Sequence, residues 1–534
     1  MINFATYKTQ TNHNKYILMK KTIALLISCI LMATMSLAQV NPIAGVYKYT
    51  HPDGAEGTIY VATGQGGNVY FEASSVTSSG NTANFHPDNR AWQRIVGNKV
   101  VCTSRFEKCT YTLTLTFDKE NGTLTASEKY DKWAPIFGMG ATLSGVYRKE
   151  PGVVGDNNGY LYSVMSDGTL GVTKGGRYCG TVRIPESLTM ADGTEKTVST
   201  VRKYAMQVSA DESYSNPLRE VILPSSVKMV GVDAFAGNRA LESVVYGNPN
   251  SVYVEAGAYM SCPNLKLTHS DPIYGYCDYQ NSDRAVAYSK FMYPVSEAVK
   301  GSELAKYKWA CFKHWHNRIG NPIGHNIGVD NTMACYSIWS KVSGYIYSLR
   351  DPKQGPNMFW GYEPFEAMVM MVDNNYMGTH RFPQYNRWKY CEDTIFMSNN
   401  FKAQMQKRYG RKVLYSCQAA KLRDDGRTVS VTEFEITNNE ALVVVAWSMA
   451  DNIICTWEKR RKLEDDNVLY GVWNVDDDGT YGIPSVLCIA EGDGENVDIV
   501  LVHPAPESVN IIQLSRNGDM LEERGGEQWY VWYD

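Results

Sequence analysis

Two histidines one residue apart, His314 and His316, with His325 shortly after, form the sharpest chemistry-bearing set in the chain, because closely spaced imidazoles can share a zinc ion. Their surroundings argue against that use. Residues 302–318 read as a helix, with Ser302 at the N-cap, Leu304, Tyr307, Cys311 and Trp315 along one face, and Gly320 beyond the end. Positions two apart on a helix point about 200° from each other, so His314 and His316 would diverge. Asp476-Asp477-Asp478-Gly479 offers carboxylates to calcium but lacks the alternating ligands and terminal Glu of an EF-hand loop, and reads as a solvated turn. Cys335 or Cys391 with His380 would supply a nucleophile and a base, yet no local motif selects them. A G-x-S-x-G elbow and a P-loop are absent from the sequence, and GQGG at 64–67 lacks the strand-to-helix setting of a dinucleotide site and reads as a hairpin turn. No metal, cofactor or catalytic set is expected, and the chain reads as a non-enzyme.

The N-terminus bears on where the protein works. Met19-Lys20-Lys21 followed by TIALLISCILMATMSLA has the basic start, apolar run and small-residue exit of a signal peptide, so cleavage is expected after Ala38, with Met19 as the true start. The alternative is a lipoprotein box at Leu26-Ile27-Ser28-Cys29, against which the apolar run continues past Cys29. Either way the product is exported, and no retained transmembrane segment is expected. Residues 1–38 carry four of the 52 bases and none of the 56 acids, which leaves a net charge of about −8 and no basic face for nucleic acid. Eleven cysteines would remain, an odd number spread too thinly for a disulfide scaffold. Cys102 and Cys109 are the pair that a tight turn between strands would bring close enough to bridge; two ordinary half-buried thiols are the alternative.

Length and composition set the architecture. The 534 residues suit several domains, and 36 Tyr with 44 Gly favour strands and turns over helix bundles. Residues 39–150 alternate strand-like runs (GTIYVAT, GNVYFEA, KVVCTSRF, TYTLTLTFD, GTLTASEKY) with Gly, Asn and Asp turns, as an antiparallel sheet or barrel does. Gly45-Val46-Tyr47 opens this region, Gly145-Val146-Tyr147 closes it, and Gly471-Val472-Trp473 returns near the C-terminus. That aromatic signature invites a weak comparison with lipocalin-like barrels. Within 321–465, RTVSVTEFEI, EALVVVAWS and NIICTWEKR read as strands, while EPFEAMVMMV fits strand or helix. KRRK at 459–462 beside EDD at 464–466 reads as a solvated boundary, and 466–534 is a β-rich segment.

The stretch 151–320 has a different rhythm. Ala234-Phe235 recurs as Ala258-Tyr259, 24 residues on, and as Ala205-Met206, 29 residues back, each with a Val four residues before the Ala; Leu241 and Leu265 share the 24-residue offset. A period in the twenties with recurrent Leu, Val and Pro belongs to solenoid coils, whose apolar corners are buried by the coils above and below. Phe235 should therefore lie in the stacked core, Pro224 at the end of a short strand, and Gly231 at the tight bend before the Ala-Phe pair.

VILPSSVKMVGVDAFAGNRALESV resembles a unit of the BspA-like leucine-rich repeat family of bacterial exported surface proteins, whose units run as I-P-x-S-V-x-x-I-G-x-x-A-F-x-x-C-x-x-L. A longer first unit with a hairpin at Asp192-Gly193 precedes it, about three units are recognisable over 157–270, and the helix read at 302–318 resembles the element that often closes such arrays. Arg202 for Gly, Met206 for Phe and Glu255 for Gly depart from the pattern. The expected fold is mainly β and multi-domain, with a short leucine-rich-repeat solenoid flanked by antiparallel β-sheet or barrel-like domains and few helices. The resemblance implies adhesion to host or bacterial surfaces through a protein or glycan ligand, and Arg183, Arg219 and Ile222 are the outward strand residues expected to carry it. An exported hydrolase or inhibitor with its ligand site in a flanking β-domain is the alternative.

Overall fold

The protein is seen in a computed structural model that describes residues 38–530 apart from 51–53, 89–90, 107–108, 132–135, 176–179, 209–217, 278–290, 295–305, 313–318, 321–323, 336–342, 350–367, 388–393, 463–483 and 506–507. It is mainly β with few helices, and several of its sheets are curled half-barrels. Contacts divide the chain into two compact units, Met1–Met229 with Ala240–Val252, and Val230–Arg239 with Tyr253–Asp534.

In the first unit an antiparallel sheet runs in the order Thr82–Phe85, Asn68–Val76, Glu56–Gly64, Gly45–Thr50, Gly145–Lys149, Thr123–Tyr130, Thr110–Asp118, Lys99–Arg105. Its strands show why the sequence folds this way: in TYTLTLTFD, Tyr111, Leu113, Leu115 and Phe117 are buried at every second position and the threonines between them face outward. The recurring Gly-Val-Tyr has a mechanical role here. Tyr47 donates its hydroxyl to the Ile43 carbonyl at 2.9 Å, and Tyr147 donates to Leu143, also at 2.9 Å, so each ring pins the chain entering its own strand. Gly57 makes room for the second ring, since a Cβ there would lie 2.8 Å from the Tyr147 ring. The GQGG segment is the turn of a hairpin, with Gly64 paired to Asn68.

Cys102 and Cys109 are both buried and both free, which corrects the bridge read from their spacing. Cys102 sits opposite Leu113 in the ladder, whereas Cys109 closes the hairpin against Phe106. Four strand positions, about 13 Å, therefore separate the levels of the two thiols, beyond the reach of a disulfide.

The remainder of this unit holds the hairpin Ser187–Thr189 with Glu195–Val201, turning at Gly193, and a three-stranded parallel ladder, Gly180–Arg183, Leu218–Leu223 and Ser243–Tyr246. The ladder is the strand face of the repeat: Val182, Val221 and Val244 stand in register. Pro224 follows the middle strand at its end. Gly247 admits the neighbouring coil, because a Cβ there would lie 2.5 Å from the Ser225 nitrogen.

The repeat is also written in the backbone. Tyr204, Asp233 and Gly257, each immediately before the recurring Ala of its coil, have φ of 62°, 51° and 70°; Gly237 and Ser261, four residues beyond the last two, have 82° and 60°. The left-handed bend thus falls at Asp233, and Gly231, read as the bend, is not among the positive-φ residues. The short polar side chain of Asp tolerates that region better than a branched one.

The second unit contains a closed six-stranded barrel, ordered Ile273–Cys277, Phe291–Pro294, Ser343–Leu349, Gly324–Cys335, Tyr307–Phe312, Met368–Asp373, and a ten-stranded sheet that runs from Ile319–Gly320 to Ser485–Glu491. Tyr307–Phe312 corrects the helix read over 302–318. Tyr307, Trp309 and Cys311 are buried at alternate positions, and the strand pairs with Gly324–Cys335 on one side and Met368–Asp373 on the other. EPFEAMVMMV ends as the strand Met368–Asp373. The charged run 459–462 continues the strand Asn452–Lys462, where Arg460 pairs with Glu440 and Glu458. The helix Asn399–Tyr409, which the sequence reading did not include, is capped by Ser398 accepting from the Phe401 N–H and ends at left-handed Gly410. It buries Phe401 and Met405 against Phe434, Leu442 and Val444.

Candidate functional site

The parallel ladder presents two outward rows of side chains. Thr181, Glu220 and Ser243 stand level with one another, and Arg183, Ile222 and Val245 form the next level. In the first row Glu220 is held from both sides: the Thr181 hydroxyl donates to Oε2 at 3.0 Å and the Ser243 hydroxyl reaches Oε1 at 3.4 Å. In the second row Arg183 is exposed, Ile222 is half-buried and Val245 is 45% exposed. Strand spacing makes this face roughly 10 Å wide, with Arg183, Ile222 and Val245 across one level and Glu220 at the next level of the middle strand.

Arg183 and Ile222 thus fall side by side, as expected for outward residues of adjacent coils. Arg219 does not join them. It shares strand parity with the inward Val221 and Leu223, yet it lies at the strand entrance, where its guanidinium turns to Glu242 at 2.8 Å with both side chains more than half exposed. Such an exposed ion pair contributes about 0–1 kcal/mol. Val245, absent from the expected set, completes the row; its Val221-to-Val244 register, an offset of 23, was the signal available for finding it.

A second constellation lies in the other unit, around Asp498 on the strand Val497–Ala505. Tyr376 donates to Oδ2 at 2.7 Å, Ser515 to Oδ1 at 2.6 Å, and Gln513 approaches Oδ2 at 3.4 Å while accepting from Tyr274 at 2.9 Å. His380 stacks on Tyr376 with ring centroids 4.0 Å apart, and its Nε2 is 4.0 Å from Asp498 Oδ2. The exposed His269 meets both rings edge-on. Nδ1 of His380 faces the Tyr376 carbonyl at 2.8 Å; a carbonyl only accepts, so Nδ1 bears the proton of the neutral ring and Nε2 titrates.

Burial holds the His380 pKa below its ordinary value, with the Asp498 carboxylate opposing that shift only in part. A histidine depressed on folding stabilises the fold above its unfolded pKa of 6.5, and that stability is lost as pH falls from there through the lower folded value. The urea midpoint is therefore expected to drop between pH 7 and pH 5, and His380→Gln to make the drop shallower. An identical pH slope in the two proteins would assign the acid sensitivity elsewhere.

His380 has no cysteine partner among the described residues. Cys335 ends the strand Gly324–Cys335, opposite Ser343, with its side chain outside the described residues, and Cys391 lies outside them altogether. His325 pairs with Ala310 in the barrel; its side chain, together with His314, His316 and Asp476–Gly479, also lies outside the described residues, as do the leader and Cys29. Among the described residues no group of His, Cys, Asp and Glu is arranged to hold a metal ion, and no helix is long and apolar enough to cross a membrane.

Part of the chain resembles bacterial leucine-rich repeat surface proteins. The crystal structure of a leucine-rich repeat protein from Bacteroides capillosus is 27% identical over 20% of this chain and 74% of its own, with a TM-score of 0.18. That of a leucine rich cell surface protein from Faecalibacterium prausnitzii is 23% identical over 22% of this chain and 30% of its own, with a TM-score of 0.20. No protein-family model matches the chain, and no curated protein matches it.

Proposed function

We propose that this is an exported, secreted or surface-associated binding protein without enzymatic activity, which uses a BspA-like leucine-rich-repeat array to adhere to a host or bacterial surface protein or glycan. The observation that carries the reading is the outward level Arg183, Ile222 and Val245 beside the buttressed Glu220, on strands whose backbones are locked in a parallel ladder. A side chain already held in place loses little conformational freedom on binding, and an apolar centre with a polar rim is the ordinary make-up of an interface.

The test immobilises the exported chain and screens matrix proteins, mucins and bacterial surface polymers. Captured ligands are expected to bind Ile222→Glu and Arg183→Glu at least about tenfold more weakly, the loss typical of a central interface residue, with the melting temperature unchanged. Capture that survives both substitutions in a folded protein would move the site off the ladder. Turnover of any screened substrate would overturn the non-enzyme reading.

A further inference from the structure

We propose that residues 374–381, the helix Asn374–Thr379 with His380 and Arg381, form a strap that closes the last coil of the repeat at neutral pH and releases it when His380 takes up a proton. The strap makes the contacts that a further coil would make. Between the two preceding corners the Phe235 N–H donates to the Ala258 carbonyl at 2.9 Å and the Gly237 N–H to Met260 at 2.8 Å. At the equivalent positions 24 residues on, the Tyr259 N–H donates to the Gly378 carbonyl at 2.8 Å and the Ser261 N–H to the Asp493 carboxylate at 2.6 Å. The Gly257 N–H is shared between the Met377 and His380 carbonyls, at 3.1 and 2.9 Å. The Asn374 side chain accepts from the Val254 N–H at 3.1 Å, and Arg381 pairs with Asp233 at 2.8 Å. Backbone donors at the end of a stack need acceptors from outside it, and the strap supplies them.

His380 sits where the strap meets the ten-stranded sheet. Its side chain is only 13% exposed and its ring lies on Tyr376, while the next residue, Arg381, exchanges both backbone hydrogen bonds with Glu491 at 2.8 Å. Asp498 and Asp493 face the ring from the sheet side and His269 meets it edge-on; the nearby Arg381 and Glu491 side chains are engaged by Asp233 and Arg427. An imidazolium here has no carboxylate to itself. Nε2 is 4.0 Å from Asp498 Oδ2, beyond hydrogen-bond length, and that oxygen already accepts from the Tyr376 hydroxyl at 2.7 Å while Oδ1 accepts from Ser515. A charged ring therefore stays buried and unpaired, which is costly, or draws the carboxylate away from Tyr376, the fully buried anchor of the strap helix. His269 adds like-charge repulsion once it is protonated. Burial outweighs the two carboxylates and holds the ring's pKa below its ordinary value. Opening, which returns the ring to water, thus takes up a proton below about pH 6.5, and its equilibrium constant rises by up to about tenfold per pH unit.

The experiment follows amide hydrogen exchange of the full chain from pH 7 to pH 5 by mass spectrometry, with each rate corrected for intrinsic exchange. Peptides spanning 253–262 and 374–381 are expected to lose protection together as the pH falls, while the strand Glu440–Met449 keeps its own. His380→Gln, which cannot take a charge, should hold that protection constant across the range. Tyr376→Phe, which leaves Asp498 Oδ2 free to meet the imidazolium, should flatten the dependence. Protection of the two peptides that does not change with pH in the parent would overturn the proposal, as would an undiminished pH dependence in folded His380→Gln. Simultaneous loss in the strand Glu440–Met449 would also overturn it, because the acid effect would then be global unfolding and not release of the strap.

Discussion

Replacing Phe235 with alanine is expected to lower the unfolding free energy by about 3–5 kcal/mol, the range for buried aromatics truncated in well-packed cores. The ring is fully buried and lies nearly parallel to Tyr259, with centroids 5.9 Å apart and an interplanar angle of 14°. Backbone contacts prevent the coil from collapsing into the space left behind. The Phe235 N–H donates to the Ala258 carbonyl at 2.9 Å and the Gly237 N–H to Met260 at 2.8 Å, which fixes one corner above the next. Beyond Tyr259 the helix Asn374–Thr379 packs so closely that a Cβ on Gly378 would lie 2.7 Å from the Tyr259 ring. With neighbours immobile on both sides, most of the cavity should persist. Phe235→Leu, which refills part of it, should recover more than half of the loss. Urea unfolding of the full chain measures both variants, and an alanine variant within about 0.5 kcal/mol of the parent, the range of ordinary surface substitutions, would refute the stacked register.

The second large effect is expected at Asp498. Its carboxylate accepts from Tyr376, Ser515 and Gln513, and its side chain is only 14% exposed. Asp498→Ala removes the acceptor while leaving those donors in place, and hydrogen bonds to a charged group contribute about 1.5–3 kcal/mol each. A net destabilisation of about 3–5 kcal/mol is expected, close to that for breaking a buried charge pair. Asp498→Asn keeps one acceptor oxygen and should cost clearly less. Equal losses in the two variants would mean that the cluster is held by packing of the Tyr376 and His380 rings and not by the carboxylate.

Several features were open to reading along the chain because they repeat locally. Alternation in TYTLTLTFD reports a strand whatever surrounds it, since a two-residue period has one structural meaning over that length, whereas EALVVVAWS is a continuous apolar run buried on both faces. The 24-residue recurrence of Ala234-Phe235 at Ala258-Tyr259 reports a coil because successive coils reuse the same backbone path, down to the left-handed residue before each Ala. The segment 307–312 lacked such clarity. Tyr307 and Cys311 fit one helix face, while Tyr307, Trp309 and Cys311 fit one strand face, and only the flanking strands Gly324–Cys335 and Met368–Asp373 decide between them.

The candidate sites divide along the same line. Arg183 and Ile222 could be found from the repeat because a parallel ladder sets equivalent residues level. The cluster at Asp498 draws on Tyr274, Tyr376, His380, Gln513 and Ser515, and no periodicity links residues so distant. By itself the sequence determined the β-rich composition, the solenoid period and the level placement of Arg183 with Ile222, all consequences of short-range backbone geometry. Tertiary structure alone decided the barrel strand at 307–312 and the gathering of hydroxyls around the Asp498 carboxylate, because burial and hydrogen bonding between distant segments depend on which elements pack together, and that is settled by the whole unit's core.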